Sequence, residues 1–262
     1  MSKGKYYFSK SLEKGLKILA LFNRETAALT QSEIARKLGL NMTSTYRYIN
    51  TLVELGYLEK DARSKLIRPA ILCLPFCNNL MSATDHKHLF KGVIDRIHGE
   101  HNISIEAALV ISNTIVRIYH RSAKETLTYH LPDSSSNCLH NTALGKAYLF
   151  SQEPEVLDEK IKTLELTPKT EHTITSETAL RAELDQARLE GYTKNVEEYL
   201  PGLIAIAAPL VDPRTGTGIG AVSFDFSLLQ INVEEMEMNY AALVCEVAKV
   251  LSDIVPPDRT GE

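Results

Sequence analysis

Ser44, Arg47, Tyr48 and Thr51 recur at i, i+3, i+4 and i+7, so a helix through them presents all four on one side. Arg, Ser and Thr can hydrogen-bond base edges, and Tyr and Thr can bind phosphate, so this side is a candidate DNA-reading surface. Thr43 and Thr45 belong to the same segment and join the candidate contacts. Arg63 and Lys65 follow in a turn-like stretch and could meet phosphate. Ser223 and Asp225 sit two apart in a strand-like run and therefore share a face. Other combinations are weaker. His86, His88, His98 and His101 fall in one predicted helix, and imidazole is the commonest transition-metal ligand, but their spacing scatters them around it. Cys73 and Cys77 lack the two further ligands that structural zinc wants. His140 has no Ser or Cys placed by sequence as its nucleophile, and no Gly-rich phosphate loop, zinc-spaced His/Glu helix or nucleophile elbow occurs. No catalytic residue, metal or cofactor is assigned, and the chain is not expected to be an enzyme.

The elements that must carry the reading surface begin at Ser11. Leu12, Leu16, Leu19 and Phe22 step by three and four, the pattern of an amphipathic helix. Thr30-Gln31-Ser32-Glu33 is a capping box, Ile34, Ala35 and Leu38 face inward, and Gly39 sits where a left-handed helix stop is wanted. Asn41 can cap a further helix that runs to Leu55 before Gly56 ends it. On that helix Met42, Tyr46, Ile49, Leu52 and Val53 are expected to point inward. Two short helices around a Gly-containing turn make a helix-turn-helix. Tyr57–Lys60 and Lys65–Arg68 then read as a hairpin, a wing beside the reading helix.

Charge agrees with this placement. Net charge is −4, but residues 1–68 hold 13 Lys/Arg against 6 Asp/Glu, a local +7, which leaves 16 against 27 and −11 for residues 69–262. A basic head on an acidic body points to a polyanionic partner for the head alone. With 262 residues, 44% apolar and 24% charged, a two-domain globular protein is expected and a disordered or fibrous chain is excluded. The longest apolar stretch, Gly202 to Val211, is about half of the roughly 20 residues a membrane span needs. Met1–Lys5 lacks the apolar core of a secretory signal, and four scattered cysteines do not form a disulfide scaffold, so a reducing cytoplasm is expected.

Pro69 to Met81 is an apolar linker carrying Cys73 and Cys77, and Asp85 to His101 reads as a helix. Ile103–Ile111 and Ile115–His120 are rich in β-branched residues and flank the turn Ser112-Asn113-Thr114, which predicts a hairpin. Leu127–Leu131 is an edge-strand candidate and Pro132–Asn137 a polar loop. Thr142–Phe150 begins a helix whose small first-turn residues, Ala143 and Gly145 around Leu144, leave backbone N–H groups accessible to an anion. Tight helix packing demands small residues as well. Glu153–Leu166 and Glu177–Glu190 are further helices, Leu203–Leu210 and Ile219–Phe226 paired strands, and Met236 to Leu251 a last amphipathic helix stopped by Pro256-Pro257. The fold class is α+β, an antiparallel sheet with helices laid against it.

The chain resembles the IclR family of bacterial transcription regulators over nearly its whole length. The resemblance rests on Leu38-Gly39-Leu40, Ser44-Thr45-Tyr46-Arg47 and Leu52–Leu58 in the head. In the body it rests on His140–Ala147, on Gly191-Tyr192 with Glu197-Glu198, on Pro201–Pro209 and on Thr217–Ser223. It implies three segments: a winged helix-turn-helix over 1–68, a linker helix over 69–85, and a GAF-like effector-binding domain over 86–262. It also implies homodimers joined through the heads, often a dimer of dimers. A pocket would use backbone groups at Ala143, Leu144 and Gly145, faced by Asn195, Ala205, Ser223 and Asp225. In the family a small polar residue such as Ser usually stands at the position of Asp225, and a carboxylate there repels an anionic ligand unless protonated or paired.

The function so implied is a ligand-responsive regulator that binds double-stranded DNA at an inverted repeat. Two recognition helices would enter successive major grooves about 34 Å apart. The effector would be a small metabolite, an organic acid, aromatic or hydroxylated compound, and the carboxylate at Asp225 favours a hydroxylated, aromatic or amine-bearing one over a simple organic acid. The alternatives are a metal-responsive DNA-binding regulator using the histidine-rich helix, and an enzyme tethered to a DNA-binding head.

Overall fold

The computed structural model describes residues 7–23, 26–82, 86–124, 134–136 and 138–254. The chain divides into two compact units, Met1–Thr84 and Asp85–Glu262.

In the first unit Ser9 caps α1 (Lys10–Leu19), accepting from the Leu12 N–H at 3.3 Å. Thr30 and Glu33 form the expected reciprocal cap of α2 (Gln31–Leu38): the Glu33 N–H donates to Thr30 Oγ1 at 3.3 Å and the Thr30 N–H to Glu33 Oε2 at 2.7 Å. Gly39 then ends α2 at φ 61, a left-handed conformation that glycine adopts without a Cβ penalty. Asn41 Oδ1 accepts from the Ser44 N–H at 2.8 Å and starts α3 (Met42–Glu54). Ile18, Leu29, Ile34, Ile49, Leu52, Leu58 and Ile67 close one apolar core over these helices. The wing is β1 (Leu58–Lys60) paired antiparallel with β2 (Ile67–Pro69), and Leu29 bridges to Ile67. Pro69 therefore closes the wing rather than opening the linker, and the helix that follows is α4 (Cys73–Ser82).

Two predicted faces in this unit rotate. Ile18 is buried in the core and the expected Leu19 and Phe22 pack against it, while Leu12 and Leu16 stay 63% and 54% exposed. With Leu55 and Phe76 they border an apolar groove of about 460 Å³ between α1, α3 and α4. In α3 the inward residues are Thr45, Ile49 and Leu52, and Met42 and Tyr46 are 47% and 50% exposed. Thr45 can take an inward position because its hydroxyl donates to the Asn41 carbonyl at 3.0 Å, which removes the cost of burying it.

The second unit is a six-stranded antiparallel sheet between two helical layers. Its strands are β3 (Ser104–Ile111), β4 (Thr114–Arg121), β5 (Ser134–Ser136), β6 (Thr193–Val196), β7 (Leu203–Val211) and β8 (Gly218–Ser227), in the order β5-β4-β3-β8-β7-β6. The β3–β4 hairpin turns at Ser112 and Asn113, both at positive φ as a tight hairpin requires. Against one face lie α5 (His86–His101) and α9 (Val233–Ile254), packing Phe90, Ile94, Val244 and Leu251 onto Ile206, Val222 and Phe224. The other face carries α6 (Ala143–Phe150) and α8 (Glu177–Glu190), where Leu144, Leu149, Leu180 and Leu184 meet Ala108, Ala205, Ala207 and Ala221. Here α7 (Pro154–Thr163) adds Leu157 and Ile161, and Gly191 closes α8 at φ 81. β7 is apolar on both sides because both faces of the sheet are covered.

Two strands depart from the sequence reading. Ser134–Ser136, expected to lie in a loop, pairs with Thr114–Val116. β6 carries no apolar alternation: its buried side chains are Thr193 and Asn195, and edge pairing with β7 makes it a strand. The edge strand expected at Leu127–Leu131 and the stop at Pro256-Pro257 lie outside the described residues.

Candidate DNA-reading face and effector cleft

With Thr45, Ile49 and Leu52 inward, a step of 100° per residue turns Thr43, Arg47, Asn50 and Glu54 outward. Thr43, Arg47 and Thr51 are exposed and Ser44 half-exposed, so these four candidate contacts share accessible surface. Thr45 does not belong with them; it is fully buried. Tyr48 is half-buried, packed against the head core and bordering the apolar groove. Sequence reasoning missed Tyr46 and Asn50. Tyr46 is exposed and Lys60 Nζ of the wing sits 5.9 Å from its ring centroid, a cation–π contact between wing and helix. The missed signal was Thr45, β-branched and able to satisfy its own hydroxyl four residues back. Arg63 and Lys65 are exposed at the wing tip, where the Asp61 carboxylate accepts from the Arg63 N–H at 3.0 Å and fixes the turn. Lys65 stands at φ 60 and its Nζ donates to the Ala62 carbonyl at 2.7 Å.

In the body, the register aligns Asn195 with Ala205, Ala205 with Asp225, and Asp225 with Ser104 in one row across four strands. The neighbouring row is Ala207, Ser223 and Glu106. Thr142 caps α6 above them, accepting from the Gly145 N–H at 3.0 Å and donating to the Cys138 carbonyl at 2.6 Å. The first-turn N–H groups of a helix have no intrahelical partner. Ala143, Leu144, Asn195, Ala205, Ser223 and Asp225 together line a narrow cleft of about 20 Å³, with Thr142, Tyr199 and Leu203. That space holds roughly one water. Gly145 is not in its lining: a Cβ there would come within 2.4 Å of the Leu139 backbone, so glycine is needed for close packing.

A second, wider cavity of about 210 Å³ opens at the start of β3 and the end of β8. Glu106, Arg117, His120, Phe226, Tyr240 and Asp225 are among its walls, and Asp225 borders the inner cleft too. Ser223 Oγ donates to Asp225 Oδ1 at 3.0 Å. Burial, and next the nearby Glu106 carboxylate, push the Asp225 carboxyl up to about 7. Asp225 keeps some solvent contact through the cavity. Glu106 is itself paired with Arg117, Nε to Oε1 at 3.0 Å.

The histidine-rich helix is tied into the protein. His98 Nδ1 lies 2.9 Å from the Ile103 carbonyl and His101 meets the Tyr240 ring edge-on. Among the described residues no group of three or more His, Cys, Asp or Glu could hold a metal ion. His140 is buried with a ring nitrogen 3.1 Å from the Thr167 carbonyl, and burial pulls its pKa down.

A basic winged helix-turn-helix joined in one chain to a separate α+β body with a cleft on its sheet is the organisation of a transcription regulator. The family model of the IclR helix-turn-helix domain matches residues 11–62, and that of the bacterial transcriptional regulator IclR C-terminal domain matches residues 79–253. The chain belongs to the IclR family of transcription regulators. It is 27% identical over 228 residues to the HTH-type transcriptional regulator KdgR of Escherichia coli, covering 84% of this chain and 83% of that one. Among solved structures, an IclR-type transcriptional regulator from Silicibacter superposes with a TM-score of 0.81 at 19% identity, covering 95% and 97% of the two chains. An IclR homolog from Microbacterium hydrocarbonoxydans complexed with 4-hydroxybenzoate gives 0.70 at 21% identity, covering 93% and 98%. These families and relatives are regulators, not enzymes. No helix among the described residues is long and apolar enough to cross a membrane.

Proposed function

We propose that the chain is a cytoplasmic, metabolite-responsive regulator that reads an inverted-repeat operator as a homodimer or a dimer of dimers. The observation that carries this reading is the exposed face of α3, with Arg47 at its centre and Arg63 and Lys65 on the adjoining wing. Arg47, Asn50 and Thr43 would meet base edges, while Ser44, Thr51 and the wing would meet phosphate. The domains follow the same division of labour, with the head carried one residue past the expected boundary to 1–69, a linker through 70–85 and the sensing body over 86–262.

The occupant of the apolar groove is a second copy of this chain. Leu12, Leu16, Leu55 and Phe76 are exposed apolar groups within a basic, DNA-facing head, and a two-fold pairing through them would set two reading helices about 34 Å apart. The effector would reach the sheet face beside Asp225, Ser223 and Asn195, with α6 above. The 4-hydroxybenzoate complex of the Microbacterium homolog supports a small ligand in a fold of this kind. Effector binding would alter DNA affinity only through unequal affinity for two arrangements of the heads.

Selection of binding sites from random duplex DNA with the purified protein tests this. Enrichment of an inverted repeat supports the dimeric regulator, and binding without enrichment overturns it.

A further inference from the structure

Resting on the effector reading above, we propose that the body's ligand carries an ammonium group and ion-pairs through it with Asp225, which borders both the inner cleft and the outer cavity. Each guanidinium on the cavity wall already has a carboxylate. Arg117 is 3.0 Å from Glu106, and Arg121 is 2.7 Å from Asp95. Asp225 has no ion-pair partner among the described residues. Its side chain receives the Ser223 hydroxyl on Oδ1.

Glu106 and Asp225 share this face of the sheet, Glu106 opposite Ser223 and Asp225 opposite Ser104 in the β3–β8 register. With Glu106 matched by Arg117, a carboxylate ligand entering beside Asp225 would meet the Asp225 charge at close range, which is costly. An ammonium supplies a direct partner for Asp225, whose charge Arg117 offsets only in part while it pairs with Glu106. Phe226 and Tyr240 also line the cavity, their ring centroids 4.9 Å apart. Carboxylates together with aromatic rings are the surroundings in which organic cations are recognised. Burial, and next the Glu106 carboxylate, raise the Asp225 carboxyl to about 7 against the Ser223 hydroxyl and Arg117, so a cation joining it would lower the cost of its charge.

The proposal implies proton release on binding. Between pH 6 and 8 the ionised fraction of a carboxyl titrating near 7 rises about tenfold, and amine affinity should rise with it. The charged and titratable groups facing Asp225 across the two cavities are Glu106, Arg117, His101, His120 and Arg121, with Tyr199 and Tyr240. A charge on either histidine at low pH would act in the same direction as protonation of Asp225, so the test must separate them.

Full-length protein is titrated calorimetrically at pH 6 and pH 8 with size-matched pairs: benzylamine and benzoate, tyramine and 4-hydroxyphenylacetate, putrescine and succinate. The expected result is binding of an amine, about tenfold tighter at pH 8. Asp225→Asn should lose at least tenfold in affinity together with the pH dependence, while circular dichroism shows a folded chain. Asp225→Ser serves as the second variant if the amide does not fold. An amine that binds Asp225→Asn as well as wild type overturns the proposal, as does binding of carboxylates alone. In the latter case, weakening by Asn195→Ala leaves the effector reading standing. Binding of neither class overturns both.

Discussion

Lys146 Nζ lies 2.6 Å from Glu198 Oε1, with the ammonium wholly buried, so the second turn of α6 is pinned to the segment that follows β6. Glu183 on α8 approaches the same ammonium at 2.9 Å. Burial pushes the Glu198 carboxyl up while Lys146 pulls it down. Asn195, on the cleft wall, belongs to the same arrangement: its Nδ2 donates to the Asn141 carbonyl at 2.8 Å and its Oδ1 accepts from the Glu198 N–H at 3.3 Å. Removing one member of a buried pair strands the other, at about 3–5 kcal/mol. Lys146→Met is therefore expected to destabilise the body by that amount in urea unfolding, and adding Glu198→Leu should recover much of the loss. A single variant as stable as wild type would show that the pair contributes nothing.

Arg47→Ala should weaken operator binding by about 1–3 kcal/mol and relax preference at one base position, as expected for a side chain reading a guanine. Lys65→Ala should weaken binding evenly across sequences and reduce the salt slope by about one. Titrations at several salt concentrations, on the selected operator and on a scrambled duplex, distinguish the two behaviours. Equal loss on both duplexes for Arg47→Ala would remove it from base readout.

Leu12→Asp together with Leu16→Asp places charge in the groove between α1, α3 and α4 without touching the buried Ile18. The head should stay folded, while sedimentation moves to a smaller species and operator affinity collapses. An unchanged assembly would show that the groove is not where two copies meet.

Asp225 sets a pH dependence of stability whose sign follows from its raised carboxyl. A group protonated more readily in the folded chain stabilises fully below its unfolded value near 3.8, and that contribution is lost as pH rises through about 7. Asp225→Asn should remove this component, so that its melting temperature exceeds that of wild type at pH 8 by more than at pH 4. Melting curves of both proteins across that range provide the check, and parallel curves would contradict it.

Much of the frame was legible from local chemistry. The Thr30–Glu33 cap, the Gly39 stop and the Asn41 cap fix α2 and α3 through contacts within three or four residues of each other, and such contacts are written in sequence spacing. The Ser112-Asn113 turn and the Gly191 stop are of the same kind. The gathering of Ala143, Leu144, Asn195, Ala205, Ser223 and Asp225 came from the family resemblance. No spacing rule brings β6, β8 and α6 together.

What the sequence could not determine is which apolar residues are spent on the core. In α1 and α3 more apolar positions exist than one small core can take, so Ile18 and Thr45 go inward while Leu12, Leu16, Met42 and Tyr46 remain outside. That choice depends on how three helices and a hairpin fill one volume, a matter of packing that periodicity does not encode. The environment of Asp225 has the same origin. By itself the residue is an acid in a strand, and only the sheet register that sets it near Glu106, beneath α6 and beside Ser223, makes its charge costly. Sequence determined the elements and their ends, because those are local; tertiary structure decided the faces and the electrostatics, because both depend on neighbours far away in the chain.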